Sequence, residues 1–558
     1  MSDKFSQLAV SNAMAPPVTF FSLPYELREQ IYHDYFKLDD GYVANANGKL
    51  TTSDGRPIDL SLMYTCRLIA AEAKDVPLMI NTISFSTVYT PELSALAGRF
   101  EYLSILHHLI QADILLRLVP FITPDMWAEI DSKFPRFSAR LRQISISQHI
   151  WKRLTRRPRD SLMLKEMIIR EGWSEVVVVG RWGQPSWVFE GHDTLSSVRE
   201  AVRFSLSLVA PTQKRRFSRL FSRMVPTPGW GPLTFLPART RSLEELLQLS
   251  FEPWAMPSSS DLERVGNQLQ DEEVWHIVRG WHSDCIEPDL RPEDGARYRD
   301  KHRFSATAAA IRFLSHLSAE KRLILRNLVL DEDHLAVGNP EIHALGLVPF
   351  CKENQRLRIE RRVSLWGNVF QKEQVEGTML SARAWPDQDC VIYTFELPKL
   401  IAEWLIDGIA ILDAGTPPES FTLVLDGNPA LKVTTEIFER AVHRTMAWAS
   451  AFEPYADLLE SQIADENFWT SRMKFGQDRF KEAITHLVNG TSILRCNFHP
   501  GDIWDIQKMV QERQDWDLID HHYGWSAFKY ETMDIRDALP NWPLLLQKNL
   551  DREPDSAD

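Results

Sequence analysis

One local pattern recurs along this chain and limits what it can fold into more than any other. A helix closes, often on Leu-Arg, and a short alternating or β-branched run follows. It stands out at Leu325-Arg326-Asn327-Leu328-Val329-Leu330, and at Leu357-Arg358-Ile359 running to Val363-Ser364-Leu365. Leu141-Arg142-Gln143-Ile144-Ser145-Ile146 and Phe421-Thr422-Leu423-Val424-Leu425 read the same way, and Val176–Val179 with Trp187-Val188-Phe189 reads as a hairpin. Alternation with period two marks a half-buried strand. Helix-then-strand units predict a mixed α/β, helix-rich stack, in the extreme a degenerate solenoid. The spacing keeps no fixed period, as true repeats do.

The chain has 558 residues. Single cores stop growing at about 250–300 residues, so two or three packed units are expected. Hydrophobic residues make up 44% and charged residues 25%, enough to build a core and to exclude wholesale disorder. Punctuation by Pro, Gly and polar runs divides the chain into a frayed start at 1–18, a helical segment at 19–90 and an α/β region at 91–210. A basic, Pro-rich linker or loop at 211–237, a mostly helical α/β region at 238–550 and a disordered tail at 551–558 complete it. Long helical patterns fall at 93–118, 397–412, 434–459 and 478–488. Most of the 18 Trp are expected in cores.

The five Cys (Cys66, Cys285, Cys351, Cys390, Cys496) are scattered, with no CxxC pair, which argues against a disulfide framework or a zinc finger. The start lacks a basic region followed by an apolar one, and no window approaches 18 uninterrupted apolar residues. An intracellular protein, cytoplasmic or nuclear, with no membrane partner is therefore expected, and Asn489-Gly490-Thr491 reads as a turn. Net charge is −13, unevenly spread. Residues 136–223 hold 18 Lys+Arg against 7 Asp+Glu, and the stretch from Gly501 holds 13 acids against 6 bases. Overall acidity argues against a dedicated nucleic-acid binder.

No phosphate loop, GxGxxG, HExxH, GxSxG or EF-hand loop occurs, so the common legible enzyme classes, cofactors and metals drop out. His282-Ser283-Asp284-Cys285 lacks a second ligand pair and reads as a polar turn. His107-His108 within an apolar helix reads as hydrogen-bonded core or surface, and His521-His522 carries no further signal. Glu320, Asp331, Glu332 and Asp333 read as a solvated acidic face. The run Lys214-Arg215-Arg216-Phe217-Ser218-Arg219-Leu220-Phe221-Ser222-Arg223 reads first as an amphipathic turn with Phe217, Leu220 and Phe221 inward. Nuclear import or a phosphate grip through Lys214, Arg215, Arg216, Arg219 and Arg223 are the alternatives.

The segment from Leu23 is the most informative. Leu27, Ile31 and Tyr35 recur at i, i+4, i+8, while Tyr25, Tyr32 and Phe36 lie toward a second face. A short helix apolar on two sides must be covered on both, one side by its own domain and the other by a partner. Residues 37–58 read as a loop. Asp59 is expected to cap a helix from Leu60 to Lys74 with Leu62, Cys66, Ile69 and Ala73 inward, Pro77 to break it, and Ile83–Val88 to form a strand.

Leu23-Pro24-Tyr25-Glu26-Leu27-Arg28-Glu29-Gln30-Ile31-Tyr32, then Thr65-Cys66-Arg67-Leu68-Ile69-Ala70-Ala71-Glu72-Ala73, then Asn81-Thr82-Ile83-Ser84-Phe85 together resemble the F-box-like domains common in fungal proteins. The resemblance covers about residues 20–90, with a longer gap at 37–58 and no Leu-Trp pair near its end. It implies docking of the Skp adaptor of a cullin–RING ubiquitin ligase, with the remaining chain selecting an unknown protein substrate. Leu23, Pro24, Leu27 and Ile31 would face the adaptor, and Cys66 and Ile69 would close the helical core. Leu328–Asp333 and Arg358–Trp366 resemble a fungal family of unknown role, which implies no activity. Two other classes stay open: a self-contained scaffold or nuclear regulator whose first helices pack on its own body, and, more distantly, an enzyme with a dispersed site.

Overall fold

The computed structural model describes residues 19–146, 195–213, 243–269, 281, 298–374, 391–394, 397–448, 450–451, 477–516, 520, 531–535, 544–545 and 548–554. The readings at 1–18, 176–189, 214–237, 282–285, 521–522 and 555–558 lie outside these residues, as does the second half of the helix read at 434–459.

Strands β1 (Tyr42–Ala44), β2 (Leu50–Thr52), β3 (Ile83–Ser86), β5 (Asn327–Glu332), β6 (Arg358–Ser364), β8 (Phe421–Asp426) and β9 (Leu494–Cys496) form one sheet. Two small pairs complete the described strands: β4 (Tyr298–Asp300) with β11 (Leu550–Arg552), and β7 (Val391–Tyr393) with β10 (Thr532–Asp534). The main sheet runs β2-β1-β3-β5-β6-β8-β9. β2 is antiparallel to β1, and every other neighbouring pair is parallel. From β3 to β9 the strands lie side by side in chain order with no reversal. For parallel strands in that order, the usual right-handed crossovers would place the connecting helices on one face.

Burial along the strands shows which face that is. Leu328, Leu330 and Glu332 on β5, Ile359, Arg361 and Val363 on β6, and Phe421, Leu423 and Leu425 on β8 are buried, while the residues between them are exposed or half-buried. The buried set packs on helices Ala306–His316, Val348–Glu353, Leu397–Asp413 and Gln477–Asn489. The predicted mixed α/β, helix-rich class is what forms. Two of the predicted Leu-Arg strand starts, Leu325-Arg326 and Leu357-Arg358, share one device with Leu494-Arg495, which the sequence reading did not single out. Nη1 of Arg326, Arg358 and Arg495 each donates to the carbonyls one and three residues upstream, at 2.6–3.1 Å.

A second core is helical. It joins the helix Pro91–Leu118, capped by Thr90, to helices Leu195–Val209 and Ser259–Leu269. It meets the sheet through Val88, Phe304 and Val337, with the Phe100 and Phe304 rings 6.1 Å apart. A third, small core of Tyr32, Phe36, Ile69, Ala73 and Val76 belongs to the N-terminal segment.

Several expectations need correction. Residues 141–146 are the end of a helix, Pro135–Ile146, and not a strand. Phe137 and Leu141, four apart, are both buried, so helical spacing outweighs the short alternation. The loop read at 37–58 contains β1 and β2. Gly41, at φ 66, would set a Cβ 2.2 Å from the Thr82 carbonyl, so only glycine brings β1 alongside β3. The helix read at 60–74 is a 3-10 turn, Ser61–Tyr64, and then α2 (Arg67–Ala73), because Cys66 is extended between them. Pro77 opens a helix, Val76–Ile80, rather than breaking one, since its missing N–H costs nothing in a first turn. Of the four main-sheet strands in the helix-rich α/β region read at 238–550, β5, β6 and β8 fall where strands were expected, and β9 was not anticipated.

Candidate protein-docking surface

The first helix, α1 (Tyr25–Phe36), starts at Pro24 with Glu26 in its first turn, where a carboxylate suits the helix dipole. Tyr32 and Phe36 anchor it inward against Ile69, Ala73 and Val76. On the opposite side Leu27 is 47% and Ile31 40% exposed, and Tyr35 is exposed beside them in the stripe. Tyr25, expected on the second face, is exposed too.

A polar lock holds this orientation. The Arg28 guanidinium grips the Glu72 carboxylate of α2 with two bonds, Nη2 to Oε1 at 2.6 Å and Nε to Oε2 at 3.1 Å. The Tyr32 hydroxyl donates to Oε2 of the same carboxylate at 2.8 Å, and Arg28 Nη1 donates to the Leu23 carbonyl at 2.6 Å. Burial, then the bond to Glu72, pushes the Tyr32 phenol up to about 12, so it stays a donor at neutral pH. The bonds from Arg28 and Tyr32 hold the Glu72 carboxyl below the usual range. Fork-to-fork pairing fixes direction as well as distance, so α1 cannot roll its open side inward without breaking it. Further along, the Tyr35 hydroxyl donates to Asp59 Oδ2 at 2.8 Å, and Asp59 also accepts from the Ser61 N–H.

Of the predicted partner-facing residues, Pro24, Leu27 and Ile31 are exposed and Leu23 is half-buried. Ile69 is buried, and the Cys66 Sγ accepts from the Ile69 N–H at 3.5 Å and so caps α2. Phe21, Tyr64 and Leu68 are exposed in the same segment, Tyr64 at 82%, and sequence reasoning missed them. Leu68 had a signal, since it adjoins the buried Ile69 on a helix and must point elsewhere. The Arg28–Glu72 grip spans 44 residues and leaves no local trace.

The acidic cluster does not form one face. Glu332 is buried, Asp331 is half-buried, and Asp333 accepts from the Thr87 N–H and hydroxyl. His107 and His108 are both buried. His107 bonds Gln111 at 3.1 Å, and burial holds the His108 imidazole neutral. The basic run Lys214, Arg215, Arg216, Arg219 and Arg223 is outside the described residues. Among the described residues no group of three His, Cys, Asp or Glu is placed to hold a metal ion, and no helix is long and apolar enough to cross a membrane.

Compared with family models, curated proteins and solved structures, the chain matches none.

Proposed function

We propose that this chain is a non-enzymatic interaction protein whose N-terminal helices receive a second protein, in the manner of an F-box-like adaptor that docks the Skp subunit of a cullin–RING ubiquitin ligase. The observation that carries the reading is the exposed apolar side of α1 at Leu27 and Ile31. Apolar side chains at i, i+4 on a locked helix are the anchors used in helix-and-groove binding. Apolar surface held open by a polar lock is better explained by a partner than by folding.

Co-expression of the full chain with a Skp adaptor tests it. The wild type should co-purify the adaptor, and Leu27→Asp with Ile31→Asp should abolish that while leaving the melting temperature unchanged. A wild-type chain that retains no adaptor removes the reading.

A second reading, a self-contained scaffold, draws on one specific observation. β1 and β3, from the same N-terminal segment, are built into the main sheet through β3–β5 pairing. A segment so joined to the body is also a structural part of it.

A further inference from the structure

Two arginines of this chain show what a guanidinium does once one of its nitrogens is held. Arg28 Nη1 donates to the Leu23 carbonyl at 2.6 Å, and the Nε–Nη2 edge takes the Glu72 carboxylate. Arg322 repeats the arrangement. Its Nη1 donates to the Leu317 carbonyl at 2.6 Å, and its Nε and Nη2 meet the two Glu353 carboxylate oxygens at 2.6 and 2.9 Å. In both, a backbone carbonyl fixes the planar group so that its other edge offers a pair of parallel donors, the geometry a carboxylate matches.

Arg326 and Arg358 are fixed in the same way. Arg326 Nη1 donates to the Leu323 and Leu325 carbonyls, both at 2.9 Å, and Arg358 Nη1 to the Gln355 and Leu357 carbonyls at 2.7 and 3.1 Å. Among the described residues, however, no carboxylate bonds the free edge of either. The two are neighbours where β5 and β6 begin, and the Arg358 N–H donates to the Arg326 carbonyl at 2.7 Å. Arg358 is exposed and Arg326 half-buried, with the exposed Arg356 beside them. Burial, then the Arg356 charge, lowers the Arg326 pKa, so like charges press on one another at this edge. Leu323, three residues before Arg326, is 49% exposed.

We propose that this strand-start edge of β5 and β6 binds an acidic segment of a second protein, whose carboxylates seat on Arg326 and Arg358 as Glu72 and Glu353 seat on Arg28 and Arg322. A carboxylate is the group that such edges already take in this chain. The net charge of −13 opposes a long nucleic acid or an anionic bilayer, which must approach the whole molecule. A short acidic segment meets only the local cations, and Leu323 gives it an apolar contact that a phosphate backbone would not use. The edge includes no residue of α1, and the proposal stands whatever α1 receives.

Fluorescence anisotropy with the full chain tests it. The probes are labelled Gly–Ser dodecapeptides carrying two Glu at successive separations, and their Gln counterparts. The wild type should bind at least one Glu peptide and none of the Gln peptides. Arg326→Gln with Arg358→Gln should bind that peptide at least about tenfold more weakly, since two charge-assisted pairs are lost. Arg326→Lys with Arg358→Lys keeps both charges without the paired donors. It should also weaken binding, and it serves if the first variant loses its fold. Leu27→Asp with Ile31→Asp should bind unchanged. A wild type that binds no Glu peptide, arginine variants that bind as the wild type does, or an oligothymidylate of the same length bound more tightly than every peptide would overturn the proposal.

Discussion

Arg361 on β6 and Glu332 on β5 form an ion pair with both side chains fully buried, Nη2 to Oε1 at 2.9 Å. Glu332 also accepts from the Ala306 and Thr307 N–H groups and the Thr307 hydroxyl, and so ties the start of helix Ala306–His316 to the sheet. Arg361 donates onward to the Pro340 and Glu341 carbonyls and lies 4.7 Å from the centre of the Trp404 ring. The two charges are thus held within one web of strand, helix start and loop. Arg361→Met leaves the Glu332 carboxylate buried without its cation and should cost about 3–5 kcal/mol. Adding Glu332→Gln removes that charge and should recover much of the loss. Urea denaturation of the single and double variants measures both. A single variant less than about 1 kcal/mol below wild type would contradict this account.

His343 makes stability depend on pH. Its Nδ1 faces the Ser305 hydroxyl at 2.7 Å and its Nε2 the Gly338 carbonyl at 2.9 Å. Burial, then the nearby Arg361 guanidinium, depresses its pKa from 6.5 to about 4. Between those values the unfolded chain binds the proton and the folded chain does not, so stability rises with pH across the window. The contribution is complete above pH 6.5 and is lost as pH falls toward 4, by up to about 3 kcal/mol. His343→Gln should flatten the melting temperature over this range, and an unchanged slope would show that His343 is not responsible.

Exposed and buried residues of the N-terminal segment should separate cleanly. Leu27→Asp with Ile31→Asp changes open positions and should alter stability by no more than about 0.5 kcal/mol per site. Ile69→Ala, in the small core beneath, should cost about 2–5 kcal/mol. Denaturation midpoints distinguish them. A large loss in the first variant would mean that α1 is covered in solution.

Gly338 should be irreplaceable where Gly48 is not. Both have positive φ, 83 and 74. A Cβ at Gly338 would fall 2.2 Å from the Pro253 carbonyl, and its N–H donates to Glu101 Oε2 at 2.6 Å. A Cβ at Gly48 meets nothing within 4 Å. Gly48→Ala should therefore cost only the left-handed penalty, about 1–2 kcal/mol, and Gly338→Ala distinctly more. Equal losses in thermal unfolding would refute the difference.

The helix–strand alternation was readable because it is local. Leu328–Leu330, Leu357–Ile359 and Phe421–Leu425 each declare a strand within a few residues, and Leu397–Asp413 declares a helix. β1 and β2 were not readable. Three-residue strands have little period of their own and exist because β3 and the hairpin turn at Gly48 supply their partners. Glu332 was misread for a related reason. Its neighbours Asp331 and Asp333 suggest solvent, and only the alternation of β5, together with Arg361 29 residues on, turns it inward. On α1, the open stripe of Leu27, Ile31 and Tyr35 is legible from helical spacing, while Tyr25, spaced to share the side of Tyr32 and Phe36, is exposed where the helix begins.

By itself the sequence determined the class of element at most places, the two apolar sides of α1, and the absence of a motif for a common enzyme class. Each of these depends on residues within a turn or two of one another. Only the tertiary structure decided which side of α1 stays open, that β1 and β3 join the main sheet beside β5, and that an acidic residue is buried against an arginine. Those depend on pairs such as Arg28 with Glu72 and Arg361 with Glu332, whose meeting is set by chain closure and packing rather than by neighbouring residues.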